Sequence, residues 1–310
     1  MKFPNRVNAQ RYTQYLNSMR LIISILFFPF FAVSQTTLRG TILDKANSNK
    51  IPYATVGLMK ENIGVNADEN GNFILKLRSS KLNDTLIVSS VGFVTQKISI
   101  ANILDTSLNI LLAEQITILD EFFVIPNHQW TTSTLNNFSD CGNEFVASSG
   151  YLHQVAQHFL APKNNSRLTK VKICRGPGKP KKTIFRIRVY DIDTLTGGPG
   201  ADLCDKIIEV KSRNNYVNVN LEEYKLKIPH KDFFVAVEWL KIPDNEQEVR
   251  NENNYNIPFD YKMYSPIIGL TALDETKLEA WQLNYSSIWR PLSYIFKGKR
   301  SLYISAIIKY

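Results

Sequence analysis

The pair Asn70-Gly71 restricts what this chain can become more than any other feature. It closes the run Asp68-Glu69-Asn70-Gly71 between apolar stretches, and it supplies the positive φ that a hairpin turn demands. After it, Phe73, Leu75 and Leu77 alternate with Asn72, Ile74 and Lys76, the period of a half-buried strand. Before it, Tyr53 to Met59 sets Ala54, Val56 and Leu58 on the better core face, opposite Tyr53, Thr55, Gly57 and Met59. The polar stretch from Asp44 ends in Ile51-Pro52 and reads as a turn. Thr85 to Val91 is β-branched and apolar, and Ile98, Ile100, Leu108, Ile110 and Leu112 complete the set. Short strands at this spacing, with no convincing helix between them, predict a small β-sandwich over residues 35–113.

Four segments in this order carry a family resemblance: Gly40-Thr41-Ile42-Leu43-Asp44, Ile51-Pro52-Tyr53-Ala54-Thr55-Val56, Asn66-Ala67-Asp68-Glu69-Asn70-Gly71-Asn72-Phe73 and Val88-Ser89-Ser90-Val91-Gly92-Phe93. Together they resemble the carboxypeptidase regulatory-like domain, with Ala67 where that family usually has Thr. The resemblance implies a transthyretin-like, Greek-key β-sandwich without catalytic residues. Such domains are attached to metallocarboxypeptidases and to bacterial outer-membrane receptors and surface proteins. Leu119-Asp120-Glu121-Phe122-Phe123-Val124 resembles the segment that trails the domain in those receptors. About 185 residues follow Ile125, too few for a receptor barrel, so the receptor function does not carry over.

Residues 1–34 hold Lys2, Arg6, Arg11 and Arg20, no acidic residue, and an apolar run from Leu21 to Val33. Ala32-Val33-Ser34 before Gln35 has the small-x-small form of a cleavage site, so the segment reads as a secretory signal peptide cut between Ser34 and Gln35. The alternative is a membrane anchor, but the run is shorter than the about 20 residues that a spanning helix needs. Met19-Arg20 directly before the run is a second possible start. Removing the segment takes four basic residues off the formal +9 and leaves +5, a charge that speaks to solubility rather than to a partner. No membrane span is expected in the mature chain. The chain is therefore expected to be exported, to the periplasm, the outer membrane or the cell surface.

Residues 114–141 read as a linker and 142–310 as a second, jelly-roll-like β-sandwich, making the fold class all-β. Phe185, Ile187 and Val189 alternate with Arg186, Arg188 and Tyr190, and Phe233 to Glu238 and Ser301 to Ile308 add further strands. Ala272 to Leu283 has roughly helical spacing and is expected to form a short helix. Phe185 to Tyr190, Val219 to Leu221 and Phe233 to Glu238 resemble the domain that often follows the regulatory-like module in secreted proteins of the Bacteroidetes group. That resemblance brings no site with it, and jelly rolls host lectins, capsid proteins and enzymes alike.

Several constellations bear on chemistry. None of the histidines His128, His153, His158 and His230 has the nearby Glu of a zinc peptidase; His153 and His158 would lie about 140° apart on a helix. There is no GxSxG, no GxxxxGK[ST] and no CxxC. Asp191, Asp193, Asp202 and Asp205 bracket a glycine-rich loop and could hold Ca²⁺ through oxygen ligands, a solvated loop being the alternative. Lys163 to Arg188 contains ten Lys/Arg and no acidic residue. Lys179, Lys181, Lys182, Arg186 and Arg188 are candidates for a polyanion, although Arg186 and Arg188 also fit the solvated outer face of their strand. Of three cysteines, Cys174 and Cys204 are the favoured disulfide, with three unbridged thiols the alternative. Trp239, Trp281 and Trp289, with Tyr255, Tyr261, Tyr264 and Tyr285, offer either a glycan-stacking face or core packing. The expectation is a non-catalytic envelope protein that binds or supports, with no cofactor and no nucleic-acid partner. Its partner would be an envelope protein or a glycan. A glycan- or polyanion-binding second sandwich is the first alternative, and an accessory to a hydrolase or outer-membrane receptor the second.

Overall fold

The computed structural model describes residues 37–310 except 61–62, 78–82, 104–106, 116–128, 149–153, 178–181, 251–259, 272–277 and 284–287. Residues 1–34, with the expected signal segment and its Ser34-Gln35 junction, lie outside the described residues. Among the described residues no helix is long and apolar enough to cross a membrane. The chain is all-β, and the only helical pieces described are 3-10 turns of three residues.

The N-terminal part contributes β1 (Thr37–Asp44), β2 (Thr55–Leu58), β3 (Ile63–Asn66), β4 (Asn72–Lys76), β5 (Thr85–Ser89), β6 (Gln96–Ser99) and β7 (Ser107–Leu112). They form two sheets, β4-β1-β7 and β3-β2-β5-β6. All pairings are antiparallel except β1 with β7. The alternating positions meet between the sheets: Ile42, Val56, Phe73, Leu75, Leu86 and Val88 are buried in one core.

The turn at Asn70-Gly71 differs from the expected hairpin. β3 pairs with β2 whereas β4 pairs with β1, so the turn carries the chain from one sheet to the other. Asp68 makes the reversal: its Oδ1 accepts from the backbone N–H of Asn70 (2.8 Å) and of Asn72 (2.9 Å). Gly71 has φ +71°, and an added Cβ would stand 2.8 Å from the carbonyl oxygen of Ile42. The glycine is thus required twice, by backbone conformation and by the close pass of β1.

The remainder comprises β8 (Thr132–Leu135), β9 (Glu144–Ser148), β10 (Gln154–Leu160), β11 (Ser166–Cys174), β12 (Thr183–Ile192), β13 (Pro199–Asp202), β14 (Ile208–Ser212), β15 (Tyr216–Asn220), β16 (Lys227–Ile228), β17 (Asp232–Trp239), β18 (Glu246–Arg250), β19 (Asp260–Leu270), β20 (Trp281–Leu283), β21 (Trp289–Pro291) and β22 (Ile304–Lys309). A seven-stranded sheet runs β13-β12-β17-β10-β20-β21 with β14 also on β12. A five-stranded sheet runs β15-β11-β22-β8 with β16 also on β11, and β18-β19-β9 form a third. Phe185, Ile187 and Val235 from the first sheet and Val171, Ile304 and Ile308 from the second share one core. Two expectations are corrected here. Thr132–Leu135, inside the stretch read as linker, is an edge strand paired with β22. Trp281–Leu283, at the end of the expected helix, is a strand paired with β10, because Trp281 packs edge-on against Phe234 of the sheet.

The N-terminal sandwich is joined to the second by a small cluster of its own, Tyr53, Ile184, Leu240 and Ile242. Beside it, the backbone N–H of Lys241 donates to Asn66 Oδ1 at 2.7 Å. Asn245 ties the cluster's strands together, accepting from the backbone of Ile184 (2.9 Å) and donating to the carbonyls of Ile184 (2.6 Å) and Leu240 (2.9 Å).

Candidate functional site

The most unusual chemistry lies on the outer face of the seven-stranded sheet. In β12 the core takes Phe185, Ile187 and Val189, which turns Arg186, Arg188 and Tyr190 to the other side. Register sets Arg186 opposite Glu238 of β17, and Glu238 opposite Gln154 of β10. The Arg188 guanidinium forms two hydrogen bonds with one oxygen of Asp202, the Nε contact at 2.7 Å, and meets Glu238 Oε2 at 3.3 Å. Arg186 stands 3.9 Å from Glu238 Oε1, donates to the Pro52 carbonyl at 2.9 Å, and lies over the Tyr53 ring. Tyr190 donates to Gln154 at 2.9 Å.

This overturns the solvated reading of Arg186, which is buried, while Arg188 is half-buried with its charge answered by Asp202 and Glu238. Arg186 is 1% exposed. Its guanidinium is held below the usual range by burial, against the pull of Glu238. Burial also opposes the charge on Arg188, but Tyr190, Glu238 and Asp202 outweigh it and hold the group above its ordinary value. The legible clue was β17: Phe233 to Val237 is apolar at every position, the mark of a strand covered on both faces. Of the remaining candidates, Lys182 is exposed, and Lys179 and Lys181 lie outside the described residues. Tyr53 completes the cover at φ +55°, a conformation that costs a bulky residue about 1–3 kcal/mol.

The four aspartates do not converge, so the calcium expectation is not met. Asp202 is taken by Arg188 and Asp191 by His230 Nδ1 at 2.8 Å. Asp193 closes its own loop, accepting from the Leu195 N–H and the Thr196 hydroxyl, which hold its carboxyl below the usual range. The backbone of Asp205, an exposed residue, abuts Gly92 of the N-terminal sandwich. Among the described residues no group of three or more His, Cys, Asp or Glu is placed to hold a metal ion. His158 pairs with Asp232 at 2.8 Å and stacks on Phe234. His128 and His153 lie outside the described residues.

The favoured disulfide is also corrected. Cys141 bonds Cys174, with Cα atoms 5.5 Å apart, and Cys204 is free and buried. Cys174 ends β11 in the five-stranded sheet, whereas Cys204 follows β13 in the seven-stranded one, so the two belong to different layers. Of the tryptophans, Trp239 is buried and donates to the Pro266 carbonyl. Trp281 and Trp289 pack partly buried on Phe234 and Tyr190. Tyr255 and Tyr285 lie outside the described residues.

Tyr264 is buried on β19, with its hydroxyl 3.4 Å from Glu246. Burial, reinforced by that carboxylate, pushes the phenol up to about 12. Unfolding restores it to about 10, so between these values the unfolded chain binds fewer protons and stability falls as pH rises. Denaturation midpoints followed upward from pH about 9 should therefore decline through this window, and less steeply in Tyr264→Phe. An identical decline in both proteins would contradict the assignment.

Comparison with known proteins decides the N-terminal sandwich. Residues 38–124 match the CarboxypepD_reg-like domain. The match begins in β1, spans all seven strands, and includes the Asp68-Gly71 turn. A CarboxypepD_reg-like domain is non-catalytic, and the match ends before the second sandwich, which carries the charged face described above. No curated protein matches the chain. Among solved structures, a variant of the clostridial cysteine protease Cwp84 after propeptide cleavage aligns at 12% identity and a TM-score of 0.34. The alignment covers 76% of this chain and 53% of that one, and at such a score it carries no argument.

Proposed function

We propose that the chain is an exported, non-catalytic binding or structural protein of the cell envelope. In this reading the CarboxypepD_reg-like domain serves as a scaffold and the second sandwich carries recognition. The observation that carries the reading is the closed charge cluster on the seven-stranded sheet. Arg186, Arg188, Glu238 and Asp202 neutralise one another, and Pro52 and Tyr53 cover Arg186, the arrangement of a docked structural interface. The Cys141–Cys174 bond supports export, since disulfides persist in oxidising compartments. The basic, apolar segment before Gln35 supports it as well.

The test is fractionation of cells producing the full chain, followed by cross-linking and capture from envelope extract. The expected result is a processed, disulfide-bonded protein in the periplasmic or outer-membrane fraction that retains an envelope component. A reduced protein confined to the cytoplasm would refute the reading. A second reading, recognition of a glycan or other polyanion by the second sandwich, is favoured by the charge on its five-stranded sheet.

A further inference from the structure

We propose that the outer face of the five-stranded sheet binds an acidic polysaccharide. This deepens the binding-protein reading above and rests on it. The argument starts in β11, where the register shifts between Leu168 and Lys170. Leu168, Val171 and Ile173 enter the core, and Arg167, Lys170 and Lys172 face out. Pairing then sets cations side by side. Lys227 of β16 lies opposite Arg167 on one flank, and Lys309 of β22 lies opposite it on the other.

Like charges directly opposite one another in a sheet repel. Adjacent strands are about 4.8 Å apart, so this row spans roughly 10 Å. Lys309 meets Glu222 at 2.9 Å, which answers one of the three charges in the row and leaves Arg167 facing Lys227. Such a row costs stability in the free protein and becomes favourable when an anion lies across it.

The cations are also held in place. Arg167 lies 4.8 Å from the centroid of Trp130, itself 41% exposed. Lys172 lies 4.3 Å from Phe138 and 5.3 Å from Tyr216, and Lys163 lies 5.4 Å from Tyr310. A head group fixed over a ring loses less freedom on binding, so the array is preorganised. Between Trp130, Arg167, Thr169, Glu222, Lys225 and Lys309 runs a small open groove of about 190 Å³.

The rest of the face identifies the ligand class. The exposed amides of Asn220 and Asn218 stand opposite Lys170 and Lys172, and Thr132 stands beside Lys309. Amides and hydroxyls interleaved with cations suit a chain that carries both hydroxyls and acid groups. A single-stranded nucleic acid would instead need open aromatic faces for its bases, and here each of these rings already has a cation over it. The spacing of the row is on the scale of successive acid groups along an acidic disaccharide repeat.

The experiment uses the full chain with labelled heparin, polygalacturonate, dextran and a single-stranded oligonucleotide, read by fluorescence anisotropy over a salt series. Heparin and polygalacturonate are expected to bind, with affinity falling steeply as salt rises, and dextran is not. The double variant Arg167→Gln/Lys309→Gln should weaken binding about tenfold and lower the logarithmic salt slope by roughly two. Lys45→Gln/Lys76→Gln removes the same charge from the N-terminal sandwich and should leave affinity within about twofold. Circular dichroism confirms that each variant is folded. No binding of either acidic polysaccharide, an equal loss in the two double variants, or tighter binding of the oligonucleotide would each overturn the proposal. If envelope capture succeeds while polysaccharide binding fails, the site assignment falls and the broader reading stands.

Discussion

Glu238→Ala should destabilise the second sandwich by about 3–5 kcal/mol, the largest effect expected of any single substitution here. Glu238 is 6% exposed, and its two oxygens face Arg186 and Arg188. Asp202 remains to neutralise Arg188 in the variant, so Arg186 is the group left buried with its charge unanswered. Breaking one side of a buried pair costs more than replacing the pair, because the surviving charge keeps its desolvation penalty. Arg186→Met should for that reason be milder: it loses the hydrogen bond to Pro52 but leaves Glu238 facing Arg188. Urea denaturation followed by tryptophan fluorescence provides the measurement, with the shift in midpoint read at constant slope. A loss below about 1 kcal/mol would show that water reaches the cluster and that the charges behave as a surface pair.

The second large effect concerns the Cys141–Cys174 bond. The two residues are 33 apart in sequence, and closing a loop of that length removes unfolded-state entropy worth about 3–4 kcal/mol. Cys174→Ser should lower stability by that amount, and reduction of the wild type should match it. Thiol titration supplies an independent check on the pairing. The oxidised protein should expose no reactive thiol when native and one when denatured. Cys204 is 6% exposed, and burial pushes its thiol up, away from the reactive thiolate. Unchanged stability on reduction would remove the structural role assigned to the bond.

The N-terminal sandwich was readable because its period-2 pattern and turn residues are local signals. Phe73 and Leu75 fall in the core where alternation puts them. What the turn connects was not readable from the same residues. Asp68 and Gly71 specify a reversal, and only the passage of Ile42 beside the glycine decides which sheet receives the chain next. Arg186 and Arg188 show the same limit in the second sandwich. Their alternation with Phe185 and Ile187 fixes which face they take, but a face is solvated only if nothing docks on it, and Tyr53 comes from 133 positions earlier. The disulfide failed for a related reason. Cys174 and Cys204 read as lying on β segments that flank one another, yet the two strands separate into different layers, and Cys141 lies in a stretch whose polar composition concealed an edge strand. In the sequence the charge run from Lys163 to Arg188 reads as one patch. The fold divides it, burying Arg175 and Arg186 and displaying Arg167, Lys170 and Lys172.

The parallel pairing of β1 with β7 has a mechanical consequence. These strands open and close the N-terminal sandwich and run side by side over six residue pairs, from Arg39 with Ser107 to Asp44 with Leu112. Because they point the same way, tension applied through the two ends of the domain would pull them along their length in opposite senses. The rungs between them would then bear the load together rather than peel apart one after another. A sandwich closed in this manner resists stretching along the chain.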